Sequence, residues 1–190
     1  MKVTYGLIAA LIALSVSSDA RGAEACKAEQ LSPAALTLSD IYARAEARAK
    51  AWKPDAVPTR ITNTILGPLD DKGRSEAWTV TFYSKAANAN VSINTFRGTL
   101  SCYADAGSPG RIPDLKPGFF RDGAKLYALA KQHGASEIAQ GFGVSVGTAA
   151  APSTNHATWY INFSKVDGKS AKLSIIVDAN TGATEKVLKD

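Results

Sequence analysis

Trp78-Thr79-Val80-Thr81-Phe82-Tyr83 and, 81 residues further on, Trp159-Tyr160-Ile161-Asn162-Phe163-Ser164 are nearly the same stretch written twice. In each, Trp, Val or Ile, and Phe alternate with smaller polar or amphipathic residues. That period of two belongs to an antiparallel strand with one face on a core. Each stretch leads to a turn glycine, Gly98 in the first copy and Gly182 in the second. The alternation assigns Trp78, Val80, Phe82, Trp159, Ile161 and Phe163 to the interior, with each indole N–H finding a partner at the core edge.

The neighbours repeat as well. Upstream of Trp78, Thr37 to Asp40 reads as a helix start, with Ser39 as N-cap and Thr37 with Asp40 resembling a capping box. Ile41, Ala45 and Ala49 then recur at helical spacing to about Trp52, and Pro54 and Pro58 end the helix. Strands are expected over Thr59–Leu66, Trp78–Tyr83, Val91–Phe96 and Thr99–Tyr103. Upstream of Trp159, Asp122 is the expected N-cap of a helix carrying Ala124, Leu126, Tyr127, Leu129 and Ala130, with Gly134 just past its end. Strands over Glu137–Gly147, Trp159–Val166, Lys172–Asp178 and Ala183–Leu188 complete the second copy. Ser39 precedes Trp78 by 39 residues and Asp122 precedes Trp159 by 37, so the order and the spacing recur together. The expectation is an α+β protein of two repeated units, residues 37–105 and 119–190, each one helix packed on a small antiparallel sheet. The Gly- and Pro-rich residues 106–118 read as their linker.

The beginning of the chain reads as a secretory signal peptide over residues 1–25. Lys2 supplies a positive start, Leu7 to Val16 is an apolar run too short to span a bilayer, and small residues allow cleavage after Ala20 or Ala25. No other segment approaches transmembrane length. The expected location is the bacterial periplasm, or secretion. In such an oxidising compartment Cys26 and Cys102 are expected to form a disulfide, whose loop of about 77 residues is worth roughly 4.5 kcal/mol in the chain-entropy picture. Their separation excludes a CxxC redox motif. The net charge of +5 comes from Lys and Arg scattered among acids, which argues against nucleic-acid binding.

The run Val177-Asp178-Ala179-Asn180-Thr181-Gly182, preceded by an alternating strand and by a Trp strand behind a helix, resembles the PepSY family. The resemblance covers about residues 120–190 well and residues 38–105 more loosely, where Asn94 stands for the usual Asp. It implies a small extracytoplasmic domain with one helix across an antiparallel sheet. It also implies a noncatalytic role of the kind associated with protease propeptides, inhibition and envelope sensing. Asp178 and Gly182 have a turn-holding explanation of their own, an Asx hydrogen bond and a positive φ.

Chemistry-bearing residues are few. Neither His133 nor His156 has another ligand residue at metal-binding spacing. Gly143-Val144-Ser145-Val146-Gly147 has the letters of a nucleophile elbow but continues as alternating strand where an elbow requires a helix. Gly141-Phe142-Gly143 lacks the spacing of a dinucleotide loop. Asp70, Asp71, Asp105 and Asp114 read as solvated turn acids. No catalytic residue, cofactor or metal is expected. The leading expectation is a noncatalytic periplasmic binding or regulatory protein that modulates a protease or senses peptides, acting on an envelope protein or peptide through an inter-unit groove or a sheet edge. The alternatives are a small serine hydrolase using Ser145 and His156, and a small-ligand or lipid carrier.

Overall fold

The computed structural model describes residues 27–152 and 155–189. The expected leader, both of its expected cleavage positions and Cys26 lie outside the described residues. In chain order the elements are β1 (Glu29–Gln30), β2 (Leu36–Thr37), α1 (Leu38–Trp52), β3 (Val57–Asn63), β4 (Arg74–Ser75), β5 (Trp78–Ser84), β6 (Ala89–Phe96) and β7 (Thr99–Ala106). They continue as α2 (Gly123–Ala139), β8 (Gly143–Ala150), β9 (Ala157–Ser164), β10 (Ser170–Asp178) and β11 (Thr184–Lys189).

The expectation of two repeated helix-on-sheet units is overturned. The described chain is mostly strand, and nine strands form one antiparallel sheet in the order β1-β7-β6-β5-β3-β8-β9-β10-β11. A separate two-stranded piece joins β2 to β4. The physical reason lies at the centre. β3 and β8, which would each be an exposed edge in a separate sheet, instead pair with each other at Thr62↔Gly147. Merging removes two open edges that would otherwise need protection.

The central seam is joined largely through side chains. Val146 N–H donates to Asn63 Oδ1 at 2.6 Å, and the Asn63 amide donates to Gly67 O at 3.0 Å and to Val144 O at 3.4 Å. Ile61 N–H donates to Thr148 Oγ1 at 2.9 Å, and Thr62 Oγ1 donates to Val146 O at 3.0 Å. Asn63 is only 3% exposed, so it is a buried polar residue whose oxygen and amide nitrogen both have partners.

Register then decides which side of the sheet is covered. Ser101, Asn94, Thr79, Thr62, Gly147, Tyr160 and Ile176 are successive cross-strand partners, a single row running across seven strands. Residues one step along each strand point the other way. Those include Trp78, Val80, Ile61, Val146, Trp159, Ile161 and Val177, all buried. Both helices cover this second face. α1 packs Ile41, Tyr42, Ala45 and Ala49 over β5 and β6, and α2 packs Leu126, Ala130 and Gly134 over β8, β9 and β10. The two indoles donate to main-chain carbonyls, Trp78 Nε1 to Leu36 O at 2.9 Å and Trp159 Nε1 to Phe120 O at 3.0 Å.

Two local expectations also need correction. The N-cap of α1 is Thr37, whose Oγ1 accepts from Asp40 N at 3.2 Å, while Ser39 donates to Arg121 O. α2 does break at Gly134, as expected, but a second helical segment follows it to Ala139, so the expected strand over residues 137–147 begins only at Gly143. Gly134 kinks the helix (φ −127°, ψ 33°) and lies against the Phe163 ring, where a Cβ would collide. The helix ends at Ala139 with Gln140 as C-cap, and Gly141 follows with a φ of +81° that suits glycine. Asp122 caps α2 by accepting from Lys125 N at 3.0 Å.

Residues 107–122 are held closely to the rest of the molecule. Phe119 is buried edge-on to Tyr42 at 5.0 Å between ring centroids, and the Arg121 guanidinium stacks over both rings. Among the described residues no helix is long and apolar enough to cross a membrane. At the far edge, Glu29↔Leu100 and Gln30↔Thr99 fix β1 on β7. Cys102 is not a free thiol.

Candidate binding cleft on the helix-free face

The uncovered face carries the polar half of each alternating strand. Small hydroxyl and amide side chains pair across it: Thr79 Oγ1 donates to Asn94 Oδ1 at 2.8 Å, Thr81 and Ser92 hydroxyls meet at 3.0 Å, and Ser174 donates to Asn162 Oδ1 at 2.7 Å. Residues 107–112, leaving the end of β7, pass over part of this surface and turn it into a cleft of about 470 Å³.

Four strands build the floor. Arg60, Thr81, Ser92 and Tyr103 are cross-strand neighbours in one row, and Asn90 pairs with Asp105 in the next row toward the strap. The strap supplies Ser108, Pro109 and Arg111. Arg111 donates to Ala151 O at 3.1 Å, which fixes it toward the β8 side, where Ala149 and Ala150 complete the wall. Asn90 donates to Gly107 O at 2.9 Å, pinning the strap at its other end. Asn90 is 8% exposed, yet its Oδ1 accepts no hydrogen bond among the described residues. Tyr103 is 58% exposed. The cleft is therefore charge-divided, with arginines toward β3 and β8 and the Asp105 carboxylate toward β7.

A second polar cluster forms where three strands end. His156 Nε2 lies 2.7 Å from Glu185 Oε1 and 3.3 Å from Asp178 Oδ2, and the ligand atoms of all three lie within 4.8 Å of one another. Asp178 Oδ1 is held by Asn180 N at 2.8 Å and Thr181 N at 2.7 Å, as an Asx turn requires. Burial alone would raise the Asp178 carboxyl. The turn amides, with the His156 charge, outweigh it and leave it below its usual range. His156 is raised, first by its hydrogen bond to Glu185, which with the charges of Glu185, Asp178 and Asp114 outweighs the opposing effect of burial. One imidazole and two carboxylates form a donor set suited to a divalent cation. The same atoms also satisfy one another as ion pairs. His156 and Asp114 line an adjoining groove of about 770 Å³ with Val57, Pro58, Ile112, Pro113 and Leu115.

The other residues singled out from sequence fall as follows. Ser145 pairs with Asn162 in the middle of the β8–β9 ladder, whereas His156 lies beyond its end beside Ala151. About six residues of strand at roughly 3.3 Å each put them near 20 Å apart, too far for a nucleophile and its base. His133 is on α2, away from both clusters. Gly98 (φ +82°) and Gly182 (φ +77°) occupy turns, Gly182 against the Phe120 ring. The space between helices and sheet, which a lipid carrier needs hollow, holds Trp78, Phe82, Trp159 and Phe163, all essentially unexposed.

Spacing along the chain could reveal neither cluster. Arg60, Thr81, Ser92 and Tyr103 come together only through register across four strands, and His156, Asp178 and Glu185 only through the ends of three. Comparison of the chain with protein-family models, with curated proteins and with solved structures finds no match.

Proposed function

We propose that the protein is a noncatalytic periplasmic binding module that regulates an envelope protein, such as a protease, through the helix-free face of its sheet. One observation carries this reading: both helices cover the same face, leaving a polar face with a strapped cleft open to a partner. A sheet used only as scaffold has no need of such a cleft, and convergent polar groups in a concavity are the usual mark of a binding site. The resemblance of residues 177–182 to PepSY sequences supports the regulatory role. The separation of Ser145 from His156 gives no support to the hydrolase alternative.

The test is affinity capture from periplasmic extract with the mature, oxidised protein as bait. A recurrent envelope protease or receptor, absent from a control bait, is the expected result. Repeated capture of nothing above the control overturns the reading.

A further inference from the structure

We infer that the cleft over Arg60, Thr81, Ser92 and Tyr103 is a binding site for a short zwitterionic peptide lying across the strands, its carboxylate toward Arg60 and Arg111 and its ammonium toward Asp105. This deepens the binding reading above and rests on it.

Charge placement sets the direction. Arg60 has no ion-pair or hydrogen-bond partner among the described residues, and the Arg111 guanidinium spends one donor on Ala151 O. Two guanidinium groups at one end of a cleft offer forked donors that match a terminal carboxylate. Asp105, at the other end, likewise has no cationic partner among the described residues. An ammonium group supplies the opposite charge that Asp105 lacks.

Size sets the length. Three strand steps of about 4.8 Å separate the Arg60 and Tyr103 backbones by about 14 Å. The side chains reach inward from both ends, and an extended residue covers about 3.4 Å, so a di- or tripeptide fits between the charges. A cleft of about 470 Å³ accommodates such a ligand. The paired Thr81 and Ser92 hydroxyls present hydrogen-bonding groups to the peptide backbone, and the exposed Tyr103 ring offers an apolar flank for a side chain.

Trialanine is the probe, titrated calorimetrically into the mature oxidised protein beside N-acetyl-trialanine and trialanine amide. The expected result is one-to-one binding of trialanine, weakened about tenfold or more by either cap. Arg60→Gln removes the penalty for amidation, and Asp105→Asn removes the penalty for acetylation. Both residues are surface-placed, and an unchanged melting temperature shows that each variant is folded. The inference is overturned if trialanine gives no binding at millimolar concentration, if capped peptides bind equally well, or if neither variant alters cap discrimination. Mass spectrometry of the recovered peptide separates this claim from the broader one. Trialanine bound through both ends but returned cleaved supports the site and overturns the noncatalytic reading. A captured envelope partner without trialanine binding overturns the site and leaves the regulatory reading standing.

Discussion

Replacing Asn63 by Ala tests whether the two halves of the sheet are joined as described. Asn63 is buried at the β3–β8 seam and its Oδ1 is the acceptor for Val146 N–H. The carbonyls it serves have second partners: Ser75 Oγ also donates to Gly67 O, and Leu69 N donates to Val144 O at 2.9 Å. Truncation therefore strands chiefly one group, the Val146 N–H, which points away from β9 and toward the missing side chain. A buried donor left without a partner costs about 1–3 kcal/mol, and the lost packing adds to it, for a total of about 2–4 kcal/mol. That is a large share of a typical domain stability of about 5–15 kcal/mol. Urea unfolding followed by circular dichroism should show a lower midpoint with an unchanged slope. A loss under about 0.5 kcal/mol, the size of an ordinary surface substitution, would refute the reasoning by showing the seam open to water.

Gly134→Ala should destabilise by about 1–3 kcal/mol, because the new Cβ meets the Phe163 ring and overpacking outweighs the helix-propensity gain of about 1 kcal/mol; a higher melting temperature would contradict the close helix–sheet approach. Asp70 accepts from the amides of Lys72 and Arg74 and from the Arg74 guanidinium, which together outweigh burial and lower its pKa. Its stabilisation is therefore present above the unfolded carboxylate pKa of about 4 and is lost as pH falls through the lower folded value. Asp70→Asn should be less stable than wild type at pH 7, with the gap closing in acid; a gap that widens toward pH 3 reverses the sign.

Much of the fold was legible where one residue type implies one environment. The Trp-x-Val-x-Phe alternation placed Trp78, Phe82, Trp159 and Phe163 facing the helices, and the spacing of Ile41, Ala45 and Ala49 located α1. Errors arose where a local rule met a longer-range contact. Gly134 does interrupt the helix, but its lack of a side chain also lets the chain cross Phe163 closely and resume a helical course to Ala139, where a strand was expected. Ser39 and Thr37 are both good caps, and tertiary packing gave Ser39 to Arg121 O. The union of the two expected sheets depends on Asn63, Thr62 and Thr148, polar residues whose burial no alternation announces. The cleft was hidden for a related reason: its residues are ordinary strand polars until register sets them in one row and residues 107–112 fold over them.

The central claim is that the helix-free face is the working surface, and Thr81→Trp tests it most directly. Thr81 lies on the cleft floor, where an indole fills the space without entering the core between sheet and helices. Capture from periplasmic extract should be run with wild-type and Thr81→Trp baits of matched melting temperature. The account predicts that the partner retained by wild type is lost from the variant; equal recovery on both baits would contradict it.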